Sequence, residues 1–416
     1  MRIVTNKEVK YCFIVFLIYG LVFEFALMSI HPMFKYIDEL YAILFVPLGI
    51  KYFFSLDQII NKKIFLLILL FVLLGVSTNI VYGYQNIQAV MKDIFLNIKF
   101  FMGIVTIQLL TKKFDVQNYR KRFIFHIKAI IIILFVLMLV DQITPIFPCN
   151  EIRYGLRSEQ LFFGHPTGLA SVSFVLILLL LLFSENITSN KIYLICGCIL
   201  VVSTLRVKAI ATILLFLIFY FYMLVFNKKP SLILLVLFSP IIILIGWEQI
   251  YGYFFSDVAM DSARGALTYK SIEIAQDFFP LGTGFGTYAS APSAESYSPI
   301  YHLYGLSNVW GLSESNPMFV SDVFWPMIIS QNGFLGLLIY LCIIVFYITR
   351  IQNLYKSDKK GYLLCMGAFI YLLISSTSES AFVNPLSLPL ALVIGLCFSV
   401  NRQKSILKLS LENDDV

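Results

Sequence analysis

Long apolar stretches, separated by short polar segments, recur along the whole chain. A helix needs about 20 mainly apolar residues to cross a bilayer, so this pattern predicts about twelve transmembrane helices. The fold class expected is an all-α polytopic membrane protein, with residues 1–416 in a single membrane domain. The predicted spans are residues 11–30, 37–54, 64–82, 87–110, 123–143, 166–183, 191–204, 208–226, 231–250, 323–348, 361–378 and 384–400. The spans 191–204 and 208–226 are closely spaced, and the alternative is that together they form one broken transmembrane element.

The composition supports a membrane protein and excludes a large soluble domain. Hydrophobic residues make up 59% of the chain and charged residues 13%, whereas soluble proteins average about 45–50% and about 25%. The first apolar stretch, Tyr11 to Ile30, is longer than the core of a signal peptide, which is about 7–15 residues. We therefore expect it to be the first transmembrane helix.

The distribution of Lys and Arg predicts the orientation, because cytoplasmic loops of membrane proteins retain positive charge. With the N-terminus inside and the spans alternating, 20 of the 31 cations fall in cytoplasmic segments, 7 outside and 4 within spans. We therefore expect an inner-membrane protein with both termini in the cytoplasm. The same bias accounts for the net charge of +7, so the charge does not indicate a nucleic-acid partner.

Two predicted external segments are longer than the others, at residues 144–165 and 251–322. Long loops without regular structure are usually functional or disordered. The second segment has too many aromatic residues for disorder, so we expect it to fold against the membrane domain. These aromatic residues are Tyr288, Tyr297, Tyr301, Tyr304, Trp310 and Phe319.

Five of the external cations group near three external edges of the predicted spans. A guanidinium group presents a planar fork of donors that suits phosphate oxygens. The grouping therefore indicates an anionic lipid head group, and a pyrophosphate would need several such cations. The alternative is that these side chains extend to ordinary phospholipids. The five residues are Arg153, Arg157, Arg206, Lys208 and Arg264.

Three further external residues are candidates for chemistry. Asp322 lies where the second long segment re-enters the membrane, where a carboxylate can either deprotonate a hydroxyl group or cap the next helix. His165, between Gly164 and Pro166, either contacts a ligand or forms a structural turn. Trp325 either stacks on a sugar face or anchors its helix. The histidines lack metal-ligand spacing, and we expect neither a metal nor a cofactor.

Two other patterns admit both a binding and a structural interpretation. Glycines alternate in the segment 281–286, so its backbone N–H groups either approach a phosphate or form an irregular turn. Lys92, Asp93 and Lys99 share one predicted span, where charges are costly unless they are paired or face a cavity. They either line a cavity for a lipid phosphate or form an internal ion pair in which Asp93 neutralises a lysine.

Four segments resemble, in this order, the O-antigen polymerase and ligase superfamily of bacterial envelope glycosyltransferases, especially its Wzy-type repeat-unit polymerases. The resemblance spans roughly residues 60–400. It implies a GT-C-like membrane fold and an enzyme of polysaccharide biosynthesis. The segments are RYGLRSEQLFFGHPTGLAS (153–171), STLRVKAIATILL (203–215), SARGALTYKSIEIAQDFFPLGTGFGTY (262–288) and SDVFWPMIISQNGFLGLLIYL (321–341).

The resemblance implies a reaction on the periplasmic face. Such enzymes transfer a growing glycan from undecaprenyl pyrophosphate to the terminal hydroxyl of another lipid-linked repeat unit, without a nucleotide sugar or a cofactor. The products are O-antigen of lipopolysaccharide, capsule or exopolysaccharide. By resemblance, Arg206 and Arg264 hold the pyrophosphate. The resemblance does not identify the base, for which Asp322 is the candidate from its position in the sequence. Arg153 and Arg157 both fit an Arg-x10-Gly pattern of the family.

Substrate binding is expected to involve Arg153, Arg157, His165, Lys208 and Trp325, with loop aromatics holding the sugars. The predicted partners are undecaprenyl-pyrophosphate-linked glycans, the lipid bilayer and a polysaccharide chain-length regulator.

Three other functions remain as alternatives. O-antigen ligases of the superfamily carry a His-Asn pair at the outer start of the helix matched by 323–348, where this chain has Ser321 and Asp322. This departure favours a polymerase over a ligase. A flippase or other transporter usually shows repeated halves, and no repeat is visible in the sequence. A non-catalytic scaffold of envelope synthesis is the third alternative.

Overall fold

The computed structural model describes residues 6–53, 59–112, 116–149, 151–185, 190–230, 240, 251 and 259–414 of the chain. Most of these residues are α-helical. The helices are α1 (Asn6–Val22), α2 (Glu24–Ile30), α3 (Ile37–Phe53), α4 (Ile59–Tyr82), α5 (Ile87–Thr111), α6 (Val116–Ile143), α7 (Pro166–Phe183), α8 (Lys191–Ser203), α9 (Val207–Phe226), α10 (Ala263–Asp277), α11 (Ala291–Glu295), α12 (Pro299–Leu303), α13 (Trp325–Leu354), α14 (Lys359–Ser375) and α15 (Ser387–Asp414). Strands β1 (Ile152–Arg153) and β2 (Leu156–Arg157) form an antiparallel hairpin.

Long apolar helices make this a membrane-embedded, all-α protein. Within the described residues, six helices are long and apolar enough to cross a membrane, or seven if α1 and α2 form one bent span. The predicted fold class is confirmed at this level. The predicted span 231–250, apart from residue 240, lies outside the described residues. The six segments are Ile60–Tyr82, Ile87–Thr111, Tyr119–Ile143, Pro166–Phe183, Val207–Phe226 and Trp325–Leu354.

The first predicted span, 11–30, is not one straight helix. It consists of α1 and α2, which are bent by 68° relative to each other. The bend accompanies a buried carboxyl group, because Glu24 at the start of α2 is fully buried and its Oε1 accepts from the backbone N–H of Asp38 at 3.1 Å. A carboxyl group inside an apolar bundle needs such a partner, and periodicity alone does not predict it.

Contacts between helix termini define the two ends of the bundle. At one end, Lys360 at the start of α14 donates to the carbonyls of Leu182 and Ser184 at the end of α7, at 3.0 and 2.7 Å. At the opposite end, the indole of Trp325 at the start of α13 donates to the hydroxyl of Ser376, just after α14, at 3.1 Å. Helix α14 therefore runs antiparallel to α7 and α13.

Helices α8 and α9 form a helical hairpin and not a single broken span. Helix α8 begins beside the end of α7, where Asn190 donates to the hydroxyl of Ser184 at 2.5 Å. Helix α9 finishes at the same end of the bundle, where Lys359 donates to Asn227 Oδ1 at 2.6 Å. The chain reverses at residues 204–206. This turn places the start of α9 at the end of the bundle where α7 starts.

Helices α5 and α7 form the centre of the bundle. Helix α7 is apolar on every side and nearly all of its residues are buried, as expected for a helix without a polar face. Helix α5 packs between α3 and α15. The outer helices α4, α6 and α9 expose large aliphatic side chains such as Leu66, Ile133 and Leu224, which lipid covers in a membrane.

The lysines within α5 form internal ion pairs. Lys99 is fully buried and pairs with Asp38 of α3. Lys92 lies 3.1 Å from a carboxylate oxygen of Glu39 and 2.8 Å from one of Glu295. The interpretation of these lysines as ion-pair members is confirmed, and the pair with Glu295 also ties α5 to the external segment.

Residues 259–322 form a folded segment with its own aromatic core. Tyr288 and Tyr301 are fully buried, with ring centroids 5.7 Å apart. The hydroxyl of Tyr288 donates to the carbonyl of Leu267 at 2.7 Å. These two tyrosines support the fold, so the expectation that they hold sugars is wrong, whereas Trp310 is 70% exposed.

The glycine-rich segment 281–286 is inserted against a break in α13. Gly333 interrupts this helix with φ +64°, and the break leaves the carbonyls of residues 330–331 without their usual helical donors. The backbone N–H groups of Thr283 and Gly284 donate to these carbonyls at 2.9 and 2.7 Å. The segment 281–286 therefore completes the backbone hydrogen bonding of α13, a helix long and apolar enough to cross a membrane.

The next two N–H groups of the same segment bond to α4 and α5. Phe285 N–H donates to Asn79 Oδ1 at 2.8 Å, and Gly286 N–H donates to Asp93 Oδ2 at 2.6 Å. Asp93 thus holds the external segment, and the prediction that it neutralises a lysine is wrong. Since the N–H groups of residues 283–286 are bonded within the protein, the structural interpretation of this segment is confirmed.

We predict that Gly333→Ala destabilises the protein. With φ +64° and ψ −172°, Gly333 has a backbone conformation that is essentially restricted to glycine and costs an alanine about 1–3 kcal/mol, and the added Cβ would lie 2.2 Å from the carbonyl oxygen of Pro280. Gly83→Ala is the matched control, because Gly83 has φ +63° but no described atom within 4 Å of the Cβ position. Thermal unfolding in detergent should show a larger fall in Tm for the Gly333 variant. Equal shifts would contradict the close approach.

Candidate functional site

A cluster of ionisable side chains lies at the end of the bundle where α7, α9 and α13 begin. We call it the charged cluster. Its members come from the β-hairpin, the starts of α7, α9 and α10, the segment before α13 and the loop after α14. They are Glu151, Arg153, His165, Arg206, Lys208, Arg264, Asp322 and Glu379. The structure therefore brings together six of the residues proposed from the sequence and adds two carboxylates.

Glu151 is the centre of one half of the cluster. Its Oε1 lies 2.8 Å from Arg206 Nη2, and its Oε2 lies 2.8 Å from Arg153 Nε. Burial alone would raise the pKa of Glu151, but the charges and hydrogen bonds of Arg206 and Arg153 outweigh burial and hold this pKa below its usual value. The carboxylate is therefore ionised at neutral pH and bridges two arginines.

His165 is the N-cap of α7 and also contacts Arg206. Its Nδ1 lies 3.2 Å from the backbone N of Thr167, and its Nε2 lies 3.0 Å from Arg206 Nη2. Both neighbours are donors, and a neutral imidazole accepts at one nitrogen only, so the ring cannot accept from both at once. Partial burial lowers the pKa of His165, and the Arg206 charge lowers it further, so the ring is neutral at pH 7.

Glu379 connects the two halves of the cluster. Its Oε1 lies 3.0 Å from Lys208 Nζ at the start of α9, and its charge acts on both Arg206 and Asp322. The hydroxyl of Ser380 donates to the backbone carbonyl of the residue before Asp322 at 2.5 Å. The loop after α14 is therefore attached to the segment that carries Asp322.

Arg264 and Asp322 form the second half of the cluster. Arg264 Nη2 lies 2.9 Å from Asp322 Oδ2. The alternative that Asp322 caps the next helix is wrong, because α13 begins at Trp325 and no side chain caps its first turn. Burial raises the pKa of Asp322 more than the Arg264 charge lowers it. A carboxylate with a raised pKa is a stronger base, which suits it to accept a proton.

Two residues proposed from the sequence lie outside the charged cluster. Arg157 Nη2 lies 3.2 Å from Asp141 Oδ2, at the end of α6. The indole of Trp325 donates to Ser376 and thereby anchors the start of α13. The shared Arg-x10-Gly spacing did not distinguish the two arginines of the hairpin, and the geometry favours Arg153.

Sequence reasoning missed Glu151 and Glu379, because a single acidic residue in a polar segment has no local pattern of its own. A signal was nevertheless available. Arginines grouped in a partly buried site need counter-charges, and Glu151 lies two residues before Arg153 in the segment 144–165. Glu379 lies in the loop after α14, which carries none of the predicted cations, so counting acidic residues beside those cations would have identified Glu151 alone.

The charged cluster combines cationic donors with carboxylates that can act as bases. Its four cations oppose three carboxylates, so the site is close to neutral when His165 is uncharged. Guanidinium groups suit phosphate oxygens, and a carboxylate beside them can accept a proton. Within the described residues, no three His, Cys, Asp or Glu side chains converge as metal ligands.

No protein-family model matches this sequence, and no curated protein matches it significantly. The function is therefore argued from the geometry of the charged cluster and from the residues that carry the resemblance described above.

We predict that Arg206→Gln raises the pKa of His165. Burial is the main cause of the low pKa and the Arg206 charge is the second, so loss of this cation removes part of the shift. The titration midpoint can be followed by NMR of histidine-labelled protein, with His165→Gln to assign the signal. Lys208→Gln is the matched control and should raise the midpoint less, because Lys208 has a weaker effect. An unchanged or lower midpoint in the Arg206 variant would contradict the contact.

Proposed function

We propose that the protein is a glycosyltransferase that polymerises undecaprenyl-pyrophosphate-linked oligosaccharide repeat units on the periplasmic face of the bacterial inner membrane. The proposal includes the topology predicted from the sequence, with about twelve transmembrane spans and both termini in the cytoplasm. It also includes a GT-C-like fold and the polysaccharide classes named above: O-antigen, capsule or exopolysaccharide.

The observation that carries the proposal is the convergence of four cations and three carboxylates at one end of the bundle. These residues are far apart in the sequence, and they meet only because α7, α9 and α13 begin at the same end. A site for a lipid-linked pyrophosphate needs several cations at the membrane boundary, and a transfer to a hydroxyl group is assisted by a nearby base. The charged cluster supplies both.

The position of other cations supports the assignment of the cluster to the periplasmic side. At the opposite end of the bundle, Arg120 pairs with Glu185, and Lys359 and Lys360 contact the ends of α9 and α7. Positive residues accumulate on the cytoplasmic side of membrane proteins. The charged cluster, with its matched acids, is then on the side away from the cytoplasm.

In the proposed reaction, an acceptor hydroxyl attacks the anomeric carbon of the donor glycan. The bond from this carbon to the phosphate oxygen breaks, and undecaprenyl pyrophosphate leaves. Arg206 and Arg264, together with Arg153 and Lys208, would stabilise the negative charge that grows on the leaving group, which is where preorganised cations help most. Asp322 would accept the hydroxyl proton.

His165 and Trp325 have supporting roles in this proposal. The neutral ring of His165 lies next to Arg206 and can orient a phosphate or hydroxyl group through Nε2. Trp325 positions the segment that carries Asp322. A chain-length regulator is the protein partner proposed, since products of this kind need a defined length.

Transport without bond chemistry is the second candidate function. Its specific support is the fully buried pair of Lys99 and Asp38 next to the buried Glu24, because ionisable groups inside a membrane often mark a substrate or ion pathway. The charges of Lys99 and Asp38 neutralise each other inside the bundle, whereas the side chains of the charged cluster are partly exposed and can contact a ligand. We therefore favour the polymerase over a transporter.

Deletion of the gene is the first test. A polymerase predicts that the long ladder of surface glycan disappears while a single repeat unit is still displayed. Loss of the single unit from the acceptor would favour a ligase, and lipid-linked units facing the cytoplasm would favour a flippase. An unchanged ladder, in a strain without a second copy, would reject all three functions.

We predict that Arg206→Ala or Arg264→Ala, expressed in the deletion strain, lowers polymer synthesis about 100-fold or more, because each removes a cation from the departing phosphate. Lys270→Ala is the matched control, since Lys270 is an external cation that pairs with Glu273 outside the charged cluster. The ladder is measured by gel at equal protein levels. A normal ladder in both arginine variants would contradict the proposed site.

A further inference from the structure

Two guanidinium groups of the charged cluster, those of Arg153 and Arg206, already pair with one carboxylate. Glu151 places one oxygen 2.8 Å from Arg206 and the other 2.8 Å from Arg153. Carboxylates and phosphates offer guanidinium groups the same feature, two anionic oxygens that accept in parallel. Glu151 therefore lies where the oxygens of a bound phosphate would be expected.

Arg206 has a donor that the protein does not use. Its side chain is 12% exposed, and its Nε is buried without an acceptor among the described residues. Leaving a buried charged donor without an acceptor is costly. Glu151 satisfies only one edge of this guanidinium group, and a larger anion with more oxygens could satisfy both edges.

Glu151 directly precedes β1, at the base of the hairpin. The backbone there is fixed, because the N–H of Ser158 donates to the carbonyl of Glu151 at 3.0 Å. The side chain of Glu151 is 33% exposed. It can therefore turn towards solvent by a change of rotamer, without movement of the hairpin.

We propose that Glu151 is an internal substitute for a phosphate group, and that the diphosphate of an isoprenyl lipid displaces it from Arg153 and Arg206. The identity of the ligand rests on the function proposed above. The carboxylate would keep the two arginines neutralised when the site is empty, and the side chain of Glu151 would turn away when the diphosphate binds. Free anions of lower charge would then compete poorly.

The direction in which Glu151→Gln changes the affinity for a diphosphate distinguishes a competing carboxylate from one that organises the site. If Glu151 competes, Glu151→Gln binds a diphosphate about tenfold more tightly, since two partly exposed ion pairs no longer have to be broken. If Glu151 only holds the arginines in place, the same variant binds more weakly. Glu151→Asp, with a shorter side chain, should show an intermediate gain.

The test is equilibrium dialysis of the purified full-length protein in detergent with radiolabelled inorganic pyrophosphate, without divalent metal. Glu314→Gln is the matched control for loss of a negative charge, because Glu314 is exposed and belongs to none of the ion pairs of the charged cluster among the described residues. Tighter binding by the Glu151 variant alone supports the proposal. Equal or weaker binding overturns it, as does the absence of saturable binding by both forms.

A second arm replaces inorganic pyrophosphate with a short-chain isoprenyl diphosphate. The proposal requires the same gain in affinity for this lipid, and a gain confined to the inorganic ion would reject the lipid as the ligand. The two hypotheses can fail separately. If Glu151→Gln binds the diphosphate more tightly but gene deletion leaves the glycan ladder unchanged, only the polymerase function is rejected. If gene deletion removes the ladder but Glu151→Gln does not bind more tightly, only the proposed role of Glu151 is rejected.

Discussion

The contact between the glycine-rich segment 281–286 and the broken turn of α13 decides where the external segment lies. Inside a bilayer no water is available for polar backbone groups, and each one left without a partner costs several kcal/mol. The carbonyls released at Gly333 therefore need donors, and the segment supplies them. Helix α10 precedes this segment and also packs against α13. The same contact thus positions Arg264 beside Asp322.

Pairing of charges is the second organising principle of the structure. Lys99 and Asp38 pair inside the bundle, and the cations of the charged cluster pair with carboxylates at its end. An unpaired charge at such positions would lose hydration without compensation. At a site for anions this pairing has a consequence: the counter-charges that stabilise the empty site must be displaced or neutralised when a ligand binds.

The elements that sequence patterns predicted well are those determined by local composition. Helices α4, α5, α6, α7, α9 and α13 coincide with predicted spans because runs of about 20 apolar residues have one favourable arrangement in a bilayer. The sequence also named the cations Arg153, Arg206 and Arg264, which the structure places in the charged cluster. Failures occurred where a distant partner decides the outcome. The first span bends beside Glu24, which bonds to Asp38, and Asp93 bonds to Gly286, 193 residues further along the chain.

By itself, the sequence determined a helical membrane protein, its candidate cations and two long segments between apolar stretches, because these follow from hydrophobicity and charge along the chain. Only the tertiary structure decided which residues form the charged cluster. Arg153 belongs to this cluster, whereas Arg157 pairs with Asp141 outside it. Asp322 pairs with Arg264, and the cluster also contains Glu151 and Glu379. Ion pairs depend on which helix ends are neighbours. Packing between segments far apart in the chain decides this, and a local sequence pattern does not predict such packing.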